Sequence, residues 1–224
     1  MAKYGVLLAL PNGNPFVTPD STPLILYKKV SLNSKYNGDF NSAVIEENIV
    51  NQKAGVVFAR TSTAAKISAV KEGNLFNVSA SNYRRAAFTL EAYFFAITPQ
   101  TLPSHGIAIW DASGTLVLTN ESRVLTDLTT IGTPGAATGG INIDVTMPGK
   151  WAVNPMGLGS VIIHAGSAPG GQPIFQSVDV GTGCHDDAGG TRIRGQSSTT
   201  ASGATIGSTN SGIVITAINT AAYD

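Results

Sequence analysis

A stretch of about twenty residues occurs twice in this chain, and that repetition constrains the fold more than any other feature. Residues 105–125 read HGIAIWDASGTLVLTNESRVL, and residues 4–24 read YGVLLALPNGNPFVTPDSTPL. The two align without a gap at a constant offset of 101 positions: Gly5 with Gly106, Gly13 with Gly114, Thr18 with Thr119, Ser21 with Ser122 and Leu24 with Leu125. Apolar positions correspond as well (Val6/Ile107, Leu8/Ile109, Val17/Leu118), and Asp20/Glu121 keeps its charge sign. Each copy is an apolar run, a turn cluster and a second apolar run. That is the pattern of a β-hairpin, with a glycine free to take positive φ in the turn. A spacing of 101 is too long for a solenoid repeat and suits a small domain.

The rest of the chain is patterned for strands. Residues 55–58 form a short apolar run, and Ala65, Ile67 and Ala69 alternate with Lys66 and Ser68. Residues 40–50 carry a diluted helical spacing, for which strand or irregular structure is the better reading. Residues 86–97, AAFTLEAYFFAI, are apolar on one face throughout and on both near their end, as expected of a central sandwich strand. Ile141, Ile143, Val145 and Met147 alternate with polar residues, and shorter strands follow at 151–153, 161–164, 174–180 and 213–218. The reading is an all-β chain of two tandem β-sandwich-like domains, each opening with the hairpin: residues 1–98, a Pro-containing linker at 99–104, and residues 105–224. Residues 181–212 are rich in Gly, Ser and Thr, with Ile193 and Ile206 the only large apolar side chains. They are expected to form a long surface loop or to be ordered by neighbours, draping over a partner subunit in an assembly.

Charge narrows the function classes. The chain has 14 basic and 14 acidic residues among 224, and only 12% of its residues are charged, about half the globular norm of roughly 25%. A neutral balance gives no electrostatic basis for nucleic-acid or anionic-membrane partners. Sparse charge suits a protein that assembles as a homo-oligomer or in many copies. No apolar run reaches the roughly 18 residues of a membrane span. The start, Met1-Ala2-Lys3-Tyr4, passes directly into strand-like sequence, so synthesis without a signal peptide, in a cytoplasm, is the expectation.

The residues offer little chemistry. Cys184-His185-Asp186-Asp187 contains ligand types, but neighbours in an extended chain point to opposite sides, and a polar turn is the expected role. Glu46-Glu47 and Asp186-Asp187 read as solvated turns. The chain has no G-x-S-x-G, no H-E-x-x-H and no phosphate loop. The expectation is therefore no enzyme, no cofactor and no metal. The candidate interface residues are the large aromatics Trp110, Trp151, Tyr93 and Phe95. Trp110 and Trp151, with Tyr36, Tyr83 and Tyr93, also have the composition of a sugar-stacking platform.

The run from Gly106 through Trp110-Asp111 and Gly114 to Leu118, continuing to Ser122-Arg123-Val124-Leu125, resembles the opening of a family of small proteins encoded in phage tail modules. The N-terminal copy resembles it more loosely, departing at the aromatic–Asp step, where Leu10-Pro11 stand, and at the Arg, where Thr22 stands. The resemblance covers about twenty residues in each half. It implies a structural virion component at the tail tip, baseplate or tail-fibre attachment region, made in the bacterial host cytoplasm. Its partners would be other virion proteins, with a host-surface glycan or protein as a further possibility, and no catalytic residue carries over. The alternative classes are a receptor- or glycan-binding module of the tail, using exposed aromatics and loops near 181–212, and a capsid decoration protein.

Overall fold

Small apolar residues alternating with hydroxyl and amide residues favour pleated, half-buried backbone, and the chain follows that preference almost everywhere. The computed structural model describes residues 8–9, 15–17, 22–111, 113–135, 137–197 and 203–224. Among these it has no α-helix, only two 3₁₀ turns at Gly140–Asn142 and Thr220–Ala222. The strands are β1 (Leu8–Ala9), β2 (Pro15–Val17), β3 (Ile25–Asn33), β4 (Lys35–Tyr36), β5 (Asn41–Asn48), β6 (Gly55–Thr61), β7 (Lys66–Glu72), β8 (Leu75–Asn82), β9 (Thr89–Ala96) and β10 (Ala108–Trp110). They continue as β11 (Leu116–Thr119), β12 (Thr129–Ile131), β13 (Asp144–Met147), β14 (Trp151–Val153), β15 (Gly157–Ser167), β16 (Pro173–Asp187), β17 (Gly190–Ser197), β18 (Thr205–Asn210) and β19 (Ile215–Asn219).

Among the described residues β1 pairs only with β2, and β10 only with β11; the other fifteen strands form one hydrogen-bonded network. One side of that network runs β3–β9–β6–β14–β19–β12, and the other runs β4–β5–β8–β7–β16, with β17 and β13 beyond β16 and β15 and β18 alongside it. The two sides meet where β6 lies parallel to β16, at Thr61 opposite His185. Between them lies the main core, with Ile45, Ile67, Phe76 and Val78 from one side against Val57, Leu90, Phe94 and Ala217 from the other. The rings of Phe76 and Phe94 meet edge to face at 5.8 Å. Each such fully buried side chain contributes about 2 kcal/mol.

This arrangement changes the domain reading. Strands from both sides of residues 99–104 share one core, since Ile45 and Phe94 pack in the same cluster as Val153, Ile193 and Ile215. A boundary at 99–104 therefore does not separate two hydrophobic cores. The expected linker is itself tied to the second hairpin, with the Gln100 amide donating to the Leu116 carbonyl at 3.0 Å.

The repeat survives within the described backbone. In the first hairpin Leu8 faces Val17 and Ala9 faces Pro15, with a register shift between Leu8 and Ala9. In the second, Ile109 faces Leu118 and Trp110 faces Leu116, with the shift between Ile109 and Trp110. Pairing and bulge thus coincide at the same offset of 101 positions. Gly5 and Gly13 lie outside the described residues. The segments that follow the hairpins pair with each other: Leu125 N donates to Leu24 O and Leu26 N to Arg123 O, both at 2.8 Å, with Ile25 opposite Val124. Leu24 and Leu125 are equivalent residues of the two copies, so exchanging the copies maps this pair onto itself.

The Gly/Ser/Thr tract is a second correction. Residues 181–212 are not a long surface loop, because 181–187 belong to β16 and most of the remainder to β17 and β18. Thr182, Cys184, Thr191 and Ile193 are fully buried. Glycine here permits close approach. A Cβ on Gly195 would stand 2.8 Å from the Ile141 carbonyl oxygen, and one on Gly183 2.9 Å from the Gln196 Cβ. Residues 198–202 of the tract lie outside the described residues. Residues 40–50 hold β5, in agreement with the strand reading.

Candidate interaction site

The second hairpin is built by local hydrogen bonds. The Asp111 carboxylate closes its turn, accepting from the Ser113 amide (2.9 Å), the Thr115 amide (2.9 Å) and the Ser113 hydroxyl (2.6 Å). The Ser113 hydroxyl and the Thr115 amide hold the Asp111 carboxyl below its usual range. Gly114 sits at φ +82 in this turn. Gly106 takes φ +122 against the Asn120 side chain, and a Cβ there would lie 2.1 Å from Asn120 Oδ1. Only glycine meets both demands. The return strand ends in a tight turn, with the Thr119 amide donating to Ser122 Oγ at 3.0 Å and the Glu121 amide to Thr119 Oγ1 at 3.2 Å. Thr119 and Ser122 are two of the residues the copies share.

One face of this hairpin is seated and one edge is open. Leu118 and Ile109 pack on Ile25 and Val124 in a small cluster of their own. Val117 and Leu116 are buried too. The outward edge of β10 pairs with no strand among the described residues, while Ile107 is 67% and Trp110 53% exposed. This edge carries no charge over residues 106–110.

Of the four aromatic candidates, only Trp110 lies on the surface. Tyr93 and Phe95 are completely buried. They lie on the face of β9 away from the main core, in a second cluster with Phe58, Ile218 and Tyr223, and Leu24 and Leu125 pack against it. The chain therefore covers this face itself, and Tyr93 and Phe95 are corrected from interface to core. Burial and the hydrogen bond it donates to Asp224 (2.8 Å) push the Tyr93 phenol up to about 12. Trp151 is half-buried against the main core, its Nε1 donating to the Pro148 carbonyl at 2.8 Å. These aromatics do not form one platform.

Cys184-His185-Asp186-Asp187 is the end of strand β16 and not a turn; the turn follows at 188–189. Burial pushes the Cys184 thiol up to about 12. His185 is 9% exposed, and its Nδ1 has no hydrogen-bond partner among the described residues. Burial, and after it the Arg194 charge, lowers its ring pKa. Among the described residues no three metal-ligating side chains converge. Glu46 and Glu47 lie on β5, where Glu47 pairs with Lys28 at 2.7 Å.

The sequence reading missed a buried ion network. Arg60, 2% exposed, bonds Glu91 (2.8 Å), Asp186 and the Trp151 carbonyl (3.1 Å). It ties β6, β9, β14 and β16 together. The signal was an arginine and a glutamate each set inside an apolar strand, and these two face each other in register.

No protein-family model matches the chain, and no curated protein or solved structure matches it either.

Proposed function

We propose that this chain is a structural component of a tailed-bacteriophage virion, located at the tail tip, baseplate or tail-fibre attachment region and acting through protein–protein contacts. The observation that carries the reading is the repeated hairpin, which keeps both register and bulge in its two copies and presents the uncharged edge of Ile107 and Trp110. An exposed apolar edge strand is a template for strand addition, and soluble monomers normally blunt such edges with charge or proline. Sparse surface charge supports the same reading. The partner is another virion protein, or a further copy of this chain, that adds a strand along β10.

The test is to locate the chain in purified particles by peptide mass spectrometry and antibody labelling. Labelling at the distal tail is expected, and particles carrying Trp110→Asp should incorporate the chain at a small fraction of the wild-type level. Absence from particles overturns the assignment, and undiminished incorporation of Trp110→Asp overturns the role of the edge.

A further inference from the structure

A cavity of about 200 Å³ opens where the loops after β6 and β8 meet strand β17. Tyr83, Arg84, Arg194, Gln196 and Ser197 are among its lining residues, and no carboxylate among the described residues lines it. Neither guanidinium has a carboxylate within salt-bridge distance among the described residues. For Arg194 the cause is visible. Asp144 stands opposite it in the β13–β17 ladder, but both oxygens of that carboxylate are taken by Arg192, at 2.7 and 2.6 Å. Arg194 keeps only a hydrogen bond from Nε to the neighbouring Gly195 carbonyl, at 3.3 Å.

The wall that carries Tyr83 and Arg84 is held in advance. Asn82, 7% exposed, donates to the Ala64 carbonyl at 2.6 Å and accepts from the Arg84 amide at 2.7 Å. Asn41, 5% exposed, donates to the Arg85 carbonyl at 2.7 Å, and Arg85 stands at φ +62. A non-glycine residue keeps that conformation only where its surroundings over-determine it. Tyr83 is fixed by stacking on Phe40, with ring centroids 4.3 Å apart.

We propose that this cavity is a binding site for a sugar that carries a carboxylate, a uronic acid or a similar acidic monosaccharide unit. Two guanidinium groups without a carboxylate partner among the described residues fit a ligand carboxylate, which arginine meets through paired N–H donors. The Gln196 amide and the Ser197 and Tyr83 hydroxyls supply neutral hydrogen-bonding groups for sugar hydroxyls. The volume lies below the roughly 300–1,000 Å³ of sites for drug-sized ligands, which limits the occupant to a single ring. This site does not depend on the virion assignment and shares no residue with the β10 edge.

The test titrates the full chain with methyl β-glucuronide, methyl β-glucoside and inorganic phosphate, read by saturation-transfer NMR and calorimetry. Saturable binding of the glucuronide is expected, with the glucoside and phosphate each at least about tenfold weaker. Arg194→Ala and Arg84→Ala should each weaken glucuronide binding by about tenfold or more, while Lys53→Ala, at the far end of β6 from the cavity, leaves it unchanged. Arg84 is exposed, so its variant tests the site even if Arg194→Ala fails to fold. Equal affinity for the glucoside overturns the role of charge. Equal affinity for phosphate reduces the site to a general anion pocket and overturns the sugar. No glucuronide binding by the folded chain overturns the proposal outright.

Discussion

Removing the Arg60 side chain tests whether the two halves of the chain share one core. Its side chain is 3% exposed, and of its two carboxylate partners the Glu91 side chain is 18% and that of Asp186 51% exposed. Arg60→Ala orphans Glu91, and breaking a buried pair from one side costs about 3–5 kcal/mol. The Trp151 carbonyl also loses a donor, a further cost of about 1–3 kcal/mol where water does not replace it. Half-exposed Asp186 adds about 0–1 kcal/mol. Lys29, 3.7 Å from Glu91, offsets part of the loss. The expected net destabilisation is about 4 kcal/mol, a large share of the roughly 5–15 kcal/mol that holds a domain folded. Asp186→Asn should cost less than about 1 kcal/mol. Replacing the pair together, as Arg60→Met with Glu91→Leu, should recover most of the loss, because no charge is then left unpaired. The assay is urea unfolding followed by tryptophan fluorescence and far-ultraviolet circular dichroism. Trp151 adjoins Arg60 and Trp110 lies in the second hairpin, so one shared core requires coincident transitions. A loss below about 1 kcal/mol for Arg60→Ala, or two separated transitions in the wild-type chain, refutes the reasoning.

Cys184 is fully buried with its thiol pushed up to about 12, so a thiol reagent at neutral pH should modify it only at the rate of unfolding, and fast modification of the native chain would contradict its placement. Burial opposes ionisation of Asp224, but hydrogen bonds from Lys29 and Tyr93 outweigh it and bring the carboxyl down to about 2 from 3.8. The folded value is the lower one, so this contribution is complete above about pH 4 and is lost as pH falls through the folded value; with partial exposure discounted it amounts to about 1 kcal/mol. Asp224→Asn should therefore flatten the loss of stability in that acid window, and an unchanged pH dependence of unfolding would refute the linkage.

Strand character was legible because hydrophobic alternation is local. It placed β6, β7 and β9 without knowledge of what they pack against, while residues 40–50 read only as strand or irregular structure. The repeat was legible for the same reason, since a hairpin's register is set by its own turn and apolar positions. What covers a strand's second face is not local. Tyr93 and Phe95 read as interface residues because the groups that bury them, Tyr223 and Leu125, lie far along the chain. Composition misled at 181–212, where Gly and Thr normally signal a loop. There the glycines serve strands that pass too close for a Cβ, and Thr182 satisfies its hydroxyl by bonding the Met156 carbonyl at 2.9 Å. Arg84 and Arg194 are separated by more than a hundred positions, so no spacing marked the cavity they share.

The sparse charge acquires a clearer meaning once its partners are known. Arg60, Lys29, Lys28 and Arg192 are each spent on a carboxylate within the chain. With only 12% of residues charged and some of those paired internally, the chain has little charge to spend on blunting an open edge. The edge of β10 has neither lysine nor proline, and a bulge at Ile109–Trp110 is its only interruption. A strand so unprotected is a liability for a lone molecule at high concentration. On the proposal that the chain is a virion subunit, a partner strand would cover this edge, and its unpaired amides and carbonyls would add directional hydrogen bonds to the burial of Ile107 and Trp110. On that proposal, the features that make this chain hazardous alone are the ones that would serve it as a subunit.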